Sequence, residues 1–182
     1  GESPESIEAF ARAIMTTDTR PKWRCSNSGK ASLLGVAKGA GMIEPDMATM
    51  LCFLVTDALF ESKELQPMLK RVVDASFNRI SIDTDTSTSD MVVLLANGQA
   101  KDVDPLIFEE SLTGLCRELA RDLVRDGEGV TKLLEVRVSG ATSPEMALSI
   151  GKSIVNSPLI KTAVHGADPN WGRFVMAVGK VF

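Results

Sequence analysis

The chain has 182 residues, 44% apolar and 24% charged, a globular mixture that excludes a disordered tail, a collagen-like repeat and a coiled coil. Twenty basic against 24 acidic side chains leave a net charge of -4, which gives no electrostatic reason to bind a phosphate backbone or an anionic membrane. Neither nucleic acid nor a membrane is an expected partner. The N-terminal GESPESIEAF has no basic region leading into a long apolar run. No apolar stretch approaches the roughly 20 residues a membrane helix needs, so a cytoplasmic location is expected.

One globular unit is expected at this length, with a core large enough to need no disulfide or metal staple. Cys25, Cys52 and Cys116 are sparse, odd in number and without a C-x-x-C pair, which reads as reduced thiols. His165 is the only histidine, so a multi-histidine metal centre is excluded and no metal is expected.

Ser3-Pro4 is an N-cap followed by proline at the first helical position, and Ile7, Phe10 and Ile14 recur at helical spacing; a helix is predicted from about Pro4 to Met15. Residues 16–30 read as loop with at most a short strand. Leu33–Ala37 is a strand candidate, and Met50–Val55, bounded upstream by Gly39, Gly41 and Pro45, reads as a strand buried on both faces. Ser62 is expected to cap a helix through Leu65, Leu69, Val72, Val73 and Phe77. The polar run SIDTDTSTSD then leads to the strand MVVLLAN, closed by Asn97-Gly98. Leu112, Leu115, Cys116, Leu119 and Leu123 mark the longest amphipathic helix, over Pro105–Asp126. Leu134, Val136 and Val138 alternate with Glu135, Arg137 and Ser139 as a half-buried strand. Ser143-Pro144 opens another helix, and Phe174–Val181 reads as a last strand. The fold class is therefore mixed α/β (α+β).

Three motif-like runs fail on chemistry. In the frame set by Gly29-Lys30 of SNSGKAS, Arg24 stands where a phosphate-binding loop needs its first glycine and Ala31 where it needs Ser or Thr. GAGMIE has Glu44 at the third glycine of a dinucleotide fingerprint. Asp83, Asp85 and Asp90 lack the glycine and terminal glutamate of a calcium loop and read as a turn and cap. His165, among turn formers, reads as a loop histidine without a catalytic role.

Five ordered blocks carry a more specific signal. GVAKGAGMIEPDMATMLCFLVTDA, Gly35–Ala58, is similar to the processing-site signature of the ornithine acetyltransferase family, the bifunctional glutamate and ornithine N-acetyltransferases of arginine biosynthesis. IMTTDTRPK, SFNRISIDTDTSTSDMVVLLANG, DGEGVTK and NSPLIKTAVHGADPNWGR resemble further family blocks in the same order. The resemblance implies an N-terminal nucleophile hydrolase-like layered helix/sheet architecture and self-cleavage between Ala48 and Thr49. Residues 1–48 would then be the C-terminal part of an alpha chain and 49–182 the N-terminal part of a beta chain. Thr49 would be the nucleophile, its own α-amine, of reference pKa about 7.7–8.0, serving as base.

The implied reaction is ping-pong transfer of acetyl from N2-acetylornithine to glutamate through acetyl-Thr49. Lys38 matches the family's substrate-binding lysine, Glu128 a glutamate that contacts the substrate's amino end, and Thr16, with Thr17 as its alternative, a further substrate contact. No cofactor is implied, although acetyl-CoA is a donor in a variant of the class, and an assembly of two alpha and two beta chains is the implied partner arrangement. Family members are about twice this length, and their oxyanion Thr-Gly and C-terminal substrate contacts have no counterpart here. Two other classes remain open from the residues: an N-terminal nucleophile amidase or aminopeptidase, with water as acceptor, and an inactive, uncleaved fragment.

Overall fold

The computed structural model describes residues 3–41, 50–84 and 90–182. Helix α1 (Pro4–Ala13) starts as its sequence dictates: the Ser3 side chain accepts from Ser6 N–H at 3.3 Å and Pro4 occupies the first turn. It ends two residues earlier than Met15. Strands β1 (Lys22–Ser28) and β2 (Ala31–Lys38) form an antiparallel hairpin about a two-residue turn, so the expected loop at 16–30 contains a full strand. β3 (Leu51–Ala58) pairs antiparallel with β2, and β4 (Met91–Ala100) pairs parallel with β3. The sheet order is β1-β2-β3-β4. A parallel pair needs a crossover; here it carries α2 (Ser62–Asp74) and a single 3-10 turn at Phe77–Arg79.

Helix α3 (Pro105–Arg125) lies across one face of the sheet, started by Asp104, whose carboxylate accepts from Leu106 and Ile107 N–H at 2.8 and 3.2 Å. Its approach to β2 is close: a Cβ on Gly35 would lie 2.6 Å from the side chains of both Leu115 and Leu119, nearer than real Cβ contacts allow, so any larger residue there displaces both leucines. Leu33, Cys52, Leu54, Phe108, Leu112, Leu115, Cys116, Leu119 and Leu123 fill the space between. On the opposite face α1 contributes Phe10, edge-on to Phe53 with ring centroids 5.5 Å apart.

Several sequence expectations change. β3 is not buried on both faces: Cys52, Leu54, Thr56 and Ala58 are buried, whereas Val55 is exposed, because α3 covers only one side. The cap of α2 is Glu61 instead of Ser62, with a reciprocal box in which Glu61 N–H donates to Glu64 Oε2 at 2.9 Å. β4 runs past Asn97-Gly98 to Ala100. Leu134, Val136 and Val138 keep the predicted alternation of burial but join no strand among the described residues.

The C-terminal part consists of helices α4 (Pro144–Val155), α5 (Pro158–His165) and α6 (Trp171–Gly179). The strand expected at Phe174–Val181 is thus a helix: a short apolar run has no period that separates the two, and Ala177 and Phe174 pack against Ile154 and Ile160 of the neighbouring helices. α5 repeats the Ser-Pro start of α1 and α4, with Ser157 Oγ accepting from Ile160 N–H at 3.4 Å. His165 is therefore the last residue of a helix, exposed, with Nδ1 2.9 Å from Thr131 Oγ1. No helix of the described residues is long and apolar enough to cross a membrane.

Candidate active site

The site is defined by one end of the sheet. β1 begins there at Lys22, β2 ends there at Lys38, β3 begins at Leu51 and β4 at Met91; the registers pair Lys22 with Ala37, Lys38 with Leu51, and Leu51 with Met91. The C-terminus of α3 and the residues following α1 reach the same end through Asp126 and Asp18, both of which bond to Lys22. Strand ends are where backbone N–H groups run out of ladder partners, and here side chains take over.

The sequence-predicted Ala48 and Thr49 lie outside the described residues, as do Pro45 and Asp85. Their flanks are well defined. On the upstream side Lys38, 5% exposed, lies with Nζ 3.4 Å from Thr16 Oγ1, so two of the residues singled out from the sequence meet. Ala40 O accepts the N–H of Glu128 at 2.7 Å, which brings the third beside them. Gly41 follows, and a Cβ there would stand 3.0 Å from the Glu128 carboxyl group. A side chain at 41 would press on that carboxylate and shift it by a few tenths of an ångström. Thr17 makes no side-chain contact that competes with Thr16 for Lys38 among the described hydrogen bonds.

On the downstream side Met50, buried, donates its N–H to Asp90 Oδ1 at 2.8 Å, and its carbonyl accepts from Met91 N–H at 3.1 Å. The residue after Thr49 is thereby fixed on both its backbone groups. Burial pushes the Asp90 carboxyl above its ordinary value, opposed by the Met50 N–H and the Lys38 charge. The cap expected of the Asp-rich run is thus real at Asp90. Lys38 and Glu128 bring one ammonium and one carboxylate to this end of the sheet.

Three residues that sequence reading did not single out lie beneath. Lys22, 2% exposed, extends Nζ to Asp18 Oδ1 at 2.5 Å and to Asp126 Oδ2 at 2.6 Å. Asp18 also accepts the N–H of Gly39 at 2.7 Å and of Thr16 at 3.2 Å. Burial works against ionisation of Asp18, but the Gly39 N–H, the Lys22 ammonium and the Thr16 N–H together hold its carboxyl below the usual range. Asp126, likewise penalised by burial, is held low by Lys22 and by the hydroxyl and N–H of Thr19. All three lie inside the quoted blocks IMTTDTRPK and DGEGVTK, but nothing in the local sequence marks Lys22 as buried.

All three cysteines are free, Cys25 exposed and Cys52 and Cys116 buried. Burial pushes the Cys116 thiol up to about 12 and raises that of Cys52 well above the ordinary value. Neither forms a thiolate near neutral pH, so neither competes as nucleophile.

A crystal structure of the ArgJ protein of Bacillus halodurans matches with a TM-score of 0.66 at 44% identity, covering 69% of this chain and 62% of that one. The fold is accordingly the mixed, layered helix-and-sheet architecture of the N-terminal nucleophile type. The chain belongs to the ArgJ family, whose model matches residues 2–182, in agreement with the ornithine acetyltransferase resemblance of the five blocks. It is 56% identical to the arginine biosynthesis bifunctional protein ArgJ 2 of Clostridium acetobutylicum, over 96% of this chain and 45% of that protein. To the glutamate N-acetyltransferase Oat2 of Streptomyces clavuligerus it is 57% identical, over 96% of this chain and 44% of that one. The chain spans a little under half the length of the curated relatives it matches.

Proposed function

We propose that this chain belongs to an acetyltransferase of arginine biosynthesis that moves acetyl from N2-acetylornithine to glutamate by way of acetyl-Thr49, after cleavage of the Ala48–Thr49 bond. The observation that carries the reading is that Lys38 meets Thr16 while Glu128 binds Ala40 and stands against Gly41, with Asp90 fixing Met50 on the other flank of Thr49. The relatives' printed names, a bifunctional arginine-biosynthesis protein and a glutamate N-acetyltransferase, support the acceptor and the pathway.

Before cleavage the Thr49 hydroxyl attacks the Ala48 carbonyl and the Ala48–Thr49 C–N bond breaks, which shifts the acyl group to oxygen and frees the Thr49 amine; water then hydrolyses the ester, releasing the Ala48 carboxylate and restoring the hydroxyl. In the mature site that amine takes the hydroxyl proton as the oxygen adds to the acetyl carbonyl of N2-acetylornithine. Collapse breaks the amide C–N bond, the proton passes to the leaving nitrogen, and ornithine departs. Glutamate then attacks the acetyl ester through its amine and restores the hydroxyl. Lys38 receives the substrate carboxylate and Glu128 the side-chain ammonium of ornithine, a bipolar match to a bipolar substrate. The α/β heterotetramer and the absence of a cofactor are part of the same reading.

The test is Thr49→Ala. It is expected to give one uncut chain by intact mass and no acetyl transfer, whereas the parent protein gives two pieces, the second beginning Thr-Met-Leu-Cys. Acetate release from acetylornithine that is indifferent to glutamate would replace transferase by amidase. Full transfer activity in an uncut chain would end the Thr49 mechanism.

A further inference from the structure

A buried ammonium between two buried carboxylates is an expensive way to hold a fold together, since apolar side chains of similar volume commonly do as well or better. The Asp18–Lys22–Asp126 triad therefore asks for a reason besides stability. Its connections supply one. Asp18 stands two residues after Thr16 and binds the Thr16 N–H at 3.2 Å; it also binds the N–H of Gly39, next to Lys38, at 2.7 Å. Asp126 stands two residues before Glu128, whose own N–H reaches Ala40 O at 2.7 Å. Lys22, with Nζ at 2.5 and 2.6 Å from the two carboxylates, ties both halves together. Each candidate substrate contact is thus at most two residues from the triad or from an atom it holds.

We propose that the buried Asp18–Lys22–Asp126 triad is the positioning unit of the site, setting Thr16, Lys38 and Glu128 at the separation that a substrate with a carboxylate and an ammonium requires. Asp18 aligns the end of β2, Asp126 aligns the turn after α3, and Lys22 locks the two in one register. The triad touches no substrate; it acts through Lys38 and Glu128. Thr19, which donates both its hydroxyl and its N–H to Asp126, is an exposed member of the same unit. The idea rests on the transferase reading of the site.

The experiment measures kcat and KM for acetylornithine in full-length, processed protein carrying Asp18→Asn, Lys38→Met or both, with Thr19→Val as a milder, nearly isosteric variant. Asp18→Asn keeps one acceptor oxygen but loses the charge and one N–H partner. It is expected to raise KM about tenfold with a smaller change in kcat, misplacement by a fraction of an ångström being enough. The double variant is expected to be no worse than Lys38→Met alone within about threefold, because both changes remove one function. Thr19→Val is expected to raise KM about threefold with only a small drop in the unfolding midpoint, and it decides the matter, in the same cycle with Lys38→Met, should Asp18→Asn not fold. KM within twofold of the parent in a folded variant, or losses that multiply in the double, would overturn the positioning role. Absence of transfer in the parent protein itself would instead overturn the functional reading, and this proposal with it.

Discussion

The two hydrophobic clusters of this molecule are built on different scales. Between the sheet and helices α2 and α3, long side chains such as Phe108, Leu112, Leu119 and Leu123 are wholly buried around Cys52 and Leu54. Among α4, α5 and α6 only Ile154, Ile160, Ala163 and Ala177 are buried apolar residues, with Leu134, Val136, Ile150, Val164, Phe174 and Val178 half covered around them. Trp171, Val175 and Phe182 stay exposed. The first region holds the site's ends of strand and helix; the second holds little of its own. Stability in a protein is rarely uniform, and regions with few buried contacts open first, so the difference places the site on the more rigid part.

Two truncations break that comparison most directly. Leu119→Ala empties space between α3 and Gly35 and is expected to cost about 3–4 kcal/mol of global stability, read as a lower denaturant midpoint. Ile160→Ala, equally buried in the smaller cluster, is expected to cost about 2 kcal/mol, because looser surroundings collapse into the void. Hydrogen exchange sharpens the contrast: amides of α3 should exchange only with global unfolding, and those of α4–α6 sooner, with Ile160→Ala speeding the latter alone. Equal protection in both regions would dissolve the distinction.

Acid comes next in size and acts on the first region. Asp18 and Asp126 are held below their ordinary carboxyl value of 3.8. Their stabilisation is complete above that unfolded value and is lost as the pH falls through the lower folded values. Asp90, raised by burial, has the opposite sign: its contribution is present below 3.8 and is lost as pH rises through its folded value, which makes the acid limb shallower. Thermal midpoints should be flat from neutrality to about pH 5 and fall below about pH 4, with Asp90→Asn steepening the fall. A midpoint that rises on acidification would contradict these signs. The smallest effect belongs to the surface: Arg71 makes a two-pronged contact to Glu109 at 2.7 and 2.6 Å, yet Arg71→Ala should leave the midpoint within error, solvent screening such a pair.

What the sequence by itself determined was much of the local structure, though not the Glu61 cap of α2 or the strand within residues 16–30. Ser3-Pro4 and Ser143-Pro144 specified helix starts, the i, i+3, i+4 spacing from Leu112 to Leu123 specified α3, and the blocks around Lys38, Thr49 and Glu128 specified the family and its candidate contacts. Those signals lie within a turn or a short motif, where neighbouring residues alone decide the conformation. Only the tertiary structure decided that Phe174–Val181 is helical against α4, that Val55 of β3 is left exposed, and that Lys22 is buried between Asp18 and a carboxylate 104 residues away. A lysine in a loop-like stretch carries no mark of burial, because its partners come from other elements and the cost of its desolvation is offset only once those elements have met.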